Sequence, residues 1–145
     1  MLNLKESMTQ LLSKYSPHVY AVTRVVVGFL FACHGAQKLF GVLGSVQEEL
    51  GGMGMMAGMI EFFAGTLVAI GLLTRLAALV ASGEMAIAYF KVHAPIGFWP
   101  ILNGGEWAVL YCFFFLYVAT NGPGGFSADS AVDRYRKTLH AGKVS

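Results

Sequence analysis

Charged residues are scarce in this chain. Its 10 Lys and Arg and 8 Asp and Glu make up 12% of 145 residues, about half the ~25% of ordinary soluble domains. With 56% hydrophobic residues and a mean hydropathy of +0.61, a soluble fold of this length could not hide its apolar surface, and the partner implied is lipid. The net charge is only +2 and no long basic run occurs, which excludes a nucleic-acid footprint. The only cysteines are Cys33 and Cys112, without C-x-x-C or Cys/His spacing, so neither zinc nor thiol–disulfide exchange is indicated, and both read as small packed residues. No flavin, nicotinamide or haem-attachment fingerprint is found, so the residues name no cofactor. Met1 to Ser16 include Glu6 and lack a short apolar core with a cleavage site, so they do not read as a removable signal peptide.

What is present is long apolar runs. A membrane-crossing helix needs about 20 mainly apolar residues, each rising about 1.5 Å across a core about 30 Å thick. Val19 to Phe40, Met55 to Leu73, Leu76 to His93 and Glu106 to Thr120 meet or approach that length. The links are Gly41 to Gly54, a tight Thr74-Arg75 turn, and Ala94 to Gly105 with Pro95 and Pro100. Links this short make neighbours antiparallel. The expected fold is all-α: an integral membrane antiparallel four-helix bundle over 17–122, a short amphipathic surface helix over 1–16, and a polar, partly helical cytoplasmic tail over 123–145.

Over residues 1–16, Leu2, Leu4, Met8, Leu11, Leu12 and Tyr15 recur at helical spacing among polar residues, with Pro17 expected to separate them from the first span. In the tail, Ser127 and Asp129 are positioned to start a helix carrying Arg134, Arg136 and Lys137. Cytoplasmic segments carry the excess of Lys and Arg. With both termini inside, Lys5, Lys14, Arg24, Arg75, Arg134, Arg136, Lys137 and Lys143 lie on the inner side, and only Lys38 and Lys91 towards the outer. Trp99 and Trp107 then fall at the outer boundary, where indoles are favoured.

Ionisable groups within membrane spans are costly, and they mark function by default. On this topology His34, Lys38, Glu61, Lys91, His93 and Glu106 gather in the outer half. His34 and Lys38 share one helix face, as do Glu84 and Lys91. Deeper, Arg24 and Glu84 stand about 8 Å and about 12 Å from the inner ends of their spans and are expected to form a buried ion pair. Three basic and three acidic groups leave the interior near neutral. One reading is therefore that they only fix helix register, with Lys38 and Lys91 snorkelling to water. His34 and His93 are not needed for that balance and exchange protons near neutral pH. A metal centre is disfavoured: no Glu-x-x-His pair occurs, and two lysines would repel a cation. Gly28, Gly35, Gly54, Gly58, Gly65 and Gly71 read as close-packing positions.

Arg24, His34-Gly-x-x-Lys38-Leu-Phe-Gly41, Glu61-x-x-x-Gly65, Gly71-Leu-x-Thr-Arg75, Asn103-Gly-Gly-Glu106 and Gly122-Pro-Gly, in this order and spacing, resemble the DoxX family over nearly all of the chain after Val19. The resemblance implies a small four-span protein of the bacterial inner membrane. The family is named after a subunit of a thiosulfate–quinone oxidoreductase, and members are linked to other redox systems and stress responses. It thus implies a redox setting without assigning catalysis to this chain, and adds Asn103 to the candidate residues.

Three functions follow as expectations. One is a quinone-interacting subunit whose pocket of His34, Lys38, Glu61, His93 and Glu106 binds and protonates a headgroup. Another is a non-catalytic module that anchors a soluble redox partner through Arg134 to Lys143. The last is small-molecule or proton passage, for which a homo-oligomer would be expected.

Overall fold

The computed structural model describes residues 2–44 and 51–141, and every regular element among them is helical. The middle of the Gly41 to Gly54 link, and Lys143, lie outside the described residues. Helix α1 runs over Leu2–Phe40, α2 over Gly52–Ile70, α3 over Thr74–Ala88, α4 over Pro100–Asn103, α5 over Glu106–Asn121 and α6 over Ala128–Ala141. A π turn, Tyr89–His93, prolongs α3.

The first departure from expectation is at Pro17, which lies inside α1 and does not divide it. Proline removes one i→i−4 bond and crowds the carbonyl of residue i−4. That carbonyl belongs to Ser13, in a stretch that is exposed throughout, where solvent can satisfy it. The amphipathic segment and the first apolar run are therefore one helix.

A second boundary moves at the end of α2. Leu72 and Leu73 are apolar enough to continue the helix, but Gly71 takes a left-handed conformation (φ 73°) and its N–H bonds the carbonyls of Leu67 and Val68. Glycine adopts this conformation without steric cost and so ends the helix.

Helices α1 and α2 pack antiparallel along a seam of glycines. A Cβ on Gly28 would meet Ala69 N at 2.7 Å and Gly65 O at 2.8 Å, and one on Gly65 would meet Ala32 N at 2.6 Å. Gly35 faces the backbone of Gly58 and Phe62 in the same way. Backbones approach this closely only where side chains are absent. Helix α3 packs on α5, also antiparallel, with Ser82 Oγ donating to Cys112 O at 2.9 Å. Phe31, Val68, Phe115 and Val118 fill the shared core.

One end of the assembly is closed by side chains bonded to helix-terminal carbonyls. Arg24, almost fully buried, donates to Val68 O, to Ala69 O at 3.0 Å and to Phe126 O at 2.8 Å. Arg75 does the same for Ala119 O and Thr120 O, and Tyr20 for Gly122 O. Ala69 O, Ala119 O and Thr120 O are among the groups a helix C-terminus leaves unpaired, and Gly122 O and Phe126 O belong to the link between α5 and α6.

Asp129 of α6 accepts from Leu73 N at 2.9 Å, Thr74 N at 3.0 Å and Thr74 Oγ1 at 2.8 Å, capping α3 from another helix. Burial alone pushes its carboxyl up. The donors from Thr74 and Leu73, with Arg24 nearby, outweigh that and hold it below the ordinary aspartate value.

Arg24 is thus not paired with Glu84. The helix rise is the reason: Arg24 lies level with the last turn of α2, whereas Glu84 is ten residues into α3, about 15 Å further along.

Candidate functional site

At the opposite end, the residues that sequence spacing placed together divide between two cavities. Lys38, in the last turn of α1, reaches Glu61 on α2, with Nζ 2.6 Å from Oε1. The Glu61 side chain is 4% exposed and that of Lys38 36%. Glu61 Oε2 is buried and has no hydrogen-bond partner. A buried polar oxygen so placed demands a hydrogen-bond partner.

The pair forms one wall of a polar cavity of about 240 Å³ that also takes in His34, His93, Phe31 and Tyr111. His34 lies four residues before Lys38, on the expected shared face, and meets the edge of the Tyr111 ring at 6.1 Å. His93 is oriented by its surroundings: Nδ1 lies 3.1 Å from Asn103 O. A carbonyl only accepts, so Nδ1 carries the proton and, in the neutral ring, Nε2 is the acceptor.

Asn103 acts through the loop rather than in the cavity. It is buried, its Nδ2 donates to Gly97 O at 2.5 Å, and its Oδ1 accepts from Gly105 N at 2.8 Å. Tyr89 OH donates to Phe98 O in the same loop. Together they fix the carbonyl that orients His93.

Glu106 opens α5 but is exposed and lines neither cavity. Glu106 shares its helix face with Leu110, which is also exposed, whereas Trp107, Ala108 and Tyr111 line the cavity. Lys91 and Glu84 share a face as expected, and it is the face of the second cavity, a groove of about 630 Å³ between α2 and α3. Two residues apart, Lys91 and His93 point to different sides of the helix, His93 to the polar cavity and Lys91 to the groove. Across this π turn an i→i+5 bond joins Ala94 N to Tyr89 O at 2.8 Å.

Aromatic residues of the cavity were missed in the sequence: Phe31, Trp107 and Tyr111. Trp107, Tyr111 and Phe115 recur every four residues on α5, with Tyr111 stacked on Phe115 at 5.8 Å. That periodicity was the available signal. Among the described residues no three His, Cys, Asp or Glu side chains come together as metal ligands would.

A model of the DoxX family matches residues 19–94, just over half of the chain and all of the segment that carries His34, Lys38, Glu61, Glu84, Lys91 and His93. The chain belongs to the DoxX family. An uncharacterized protein of Haemophilus influenzae is 41% identical over 126 residues, which cover 82% of this chain and 94% of the relative. No solved structure matches. DoxX proteins are membrane-associated, and in this member α1 and α2 are long and apolar enough to cross a bilayer, while α5 is a shorter apolar helix.

Proposed function

We propose that this DoxX protein crosses the bacterial inner membrane four times, through α1, α2, α3 with its π turn, and α5, with both termini cytoplasmic. Only 33% of the most apolar stretch of α1 and 28% of that of α2 is buried, whereas a soluble core helix would be covered. Val22, Phe29, Phe63, Leu76, Ile87 and Phe113 are all exposed, and lipid is the solvent that accepts them. Lys and Arg concentrate at the Asp129 end, which sets the orientation.

Within that frame the polar cavity binds a carbonyl-bearing headgroup, a quinone or a molecule like it, as part of a membrane redox system. The observation that carries this reading is the buried Lys38–Glu61 pair with an unsatisfied carboxyl oxygen, beside a histidine whose proton is fixed on Nδ1. Lys38 supplies a donor for a carbonyl oxygen of the oxidised headgroup, and Glu61 Oε2 an acceptor for a hydroxyl of the reduced one. His34, His93 and Glu61 supply groups that accept or return a proton when the headgroup changes redox state.

The test is thermal unfolding of the purified full chain with a short-tailed benzoquinone. A rise in Tm, lost in Glu61→Gln and in His93→Ala, is expected. An unchanged Tm, with no quinone co-purifying, sinks the reading.

A second reading rests on α6, which exposes Arg134, Arg136 and Lys137 and is held at its first turn by Asp129. Here the protein is a scaffold and α6 docks a soluble redox partner. A partner captured by the full chain, lost on reversing these charges and kept in Glu61→Gln, would favour it.

A further inference from the structure

Glu84 is the buried group that the polar cavity does not use. It is 9% exposed, and its Oε2 is buried without a hydrogen-bond partner. It lies in electrostatic reach of both Glu61 and Lys38, yet Lys38 is already bonded to Glu61. Lys91 lines the same groove about two turns further along and makes no ion pair with Glu84 among the described residues, so this carboxyl is left for a proton or for a donor from outside the chain.

Glu84 lines the groove between α2 and α3, whose other walls are almost wholly apolar: Met56, Ile60, Leu79, Val80 and Ile87. Its volume, about 630 Å³, lies within the ~300–1,000 Å³ of small-molecule sites. Met56, Leu79 and Ile87 are exposed, so the groove opens sideways, where the spans meet lipid. Groove and polar cavity share Lys38, Ala88 and Val92, so the two meet at the Lys38–Glu61 pair.

We infer that the groove seats the apolar chain of the same ligand whose polar end occupies the cavity, and that Glu84 contacts the ligand where groove and cavity join beside Lys38. The inference rests on the ligand reading above. It adds that the ligand is a membrane-phase molecule with a carbonyl or hydroxyl headgroup and a single long apolar tail, and that it enters laterally between α2 and α3. The polar end lies against Lys38 and Glu61 in the cavity, Glu84 meets the ligand from the groove that joins the cavity at Lys38, and the tail lies along methionine and aliphatic walls.

Gly83 gives a direct handle. It lines the groove, and a Cβ there would meet nothing within 4 Å, so Gly83→Leu fills the groove without pressing on the fold. Glu84→Met is a second variant that keeps the volume and removes the carboxyl. The probes are a decyl-tailed benzoquinone and stearic acid, each with a diazirine in its chain, photolysed with the full chain in nanodiscs and mapped by mass spectrometry. The tail-less benzoquinone is followed in parallel by Tm.

The expected result is quinone labelling of Met56, Ile60 and Ile87, displaced by untagged quinone and reduced about tenfold or more in Gly83→Leu and Glu84→Met, while Gly83→Leu keeps its response to the tail-less quinone. Quinone label spread evenly over exposed positions such as Phe29 and Phe113, with the tail-less quinone still raising Tm, overturns the groove and leaves the headgroup reading standing. If neither quinone binds, both fall. Labelling of the groove by stearic acid alone then marks it as an ordinary lipid seat.

Discussion

Lys38 Nζ lies 2.6 Å from Glu61 Oε1, joining α1 to α2 at the open end of their glycine seam. Breaking a buried pair from one side costs about 3–5 kcal/mol. Because Lys38 reaches solvent, Lys38→Met is expected to cost less, about 2 kcal/mol. The double change Lys38→Met with Glu61→Leu should recover most of it, since no charge is then stranded. Thermal unfolding in detergent measures both. A double variant no more stable than Lys38→Met would show that stranding Glu61 is not what the lysine prevents.

Asp129 sets a pH dependence at the other end. Its folded carboxyl is held below the unfolded value of about 3.9. The stability it contributes is therefore present above that pH and is lost as pH falls through the lower folded value. Proteolysis of α6 should accelerate below about pH 4 in the native chain. Asp129→Asn should be cleaved faster at neutral pH, with little further change on acidification. A cap of this kind is worth about 1 kcal/mol.

The glycine seam and Gly83 make opposite predictions for the same substitution. Gly65→Ala drives a Cβ to within 2.6 Å of Ala32 N and should destabilise by about 1–3 kcal/mol, as overpacking does. Gly83→Ala meets open space and should be neutral or stabilising by up to about 1 kcal/mol, because alanine is the better helix former. Equal Tm values for the two variants would contradict the seam.

Arg24→Lys should behave as a loss rather than a conservative change. One ammonium cannot serve carbonyls of α2 and of Phe126 as the guanidinium does. Hydrogen exchange in the 123–127 segment should rise, with the Lys38 end unaffected. Protection unchanged throughout would mean that the Phe126 contact does not hold the loop.

The helices were legible because apolar runs and breakers set them, and the shared faces of His34 with Lys38 and of Glu84 with Lys91 followed from helical period. Three features were not legible. Pro17 reads as a break, yet solvent satisfies the carbonyl it frees. Leu72 and Leu73 read as helix, yet the left-handed Gly71 ends it. Arg24 reads as half of an ion pair because charge counting sees only charged partners, whereas its partners are backbone carbonyls, which carry no signature in sequence. The aromatic wall of Trp107 and Tyr111 is readable from its i, i+4 spacing on α5, though charge alone does not point to it.

The π turn at Tyr89–His93 makes the count of residues between Glu84 and Asn103 a determinant in its own right. Each residue of an α-helix advances about 100° around the axis. Losing or gaining one residue here would rotate Lys91 or His93 by about that angle away from the groove or cavity it now faces. Variants that differ here in length by a single residue are therefore expected to differ in ligand more than variants with several substitutions, because angular register rather than composition decides which groups meet the ligand.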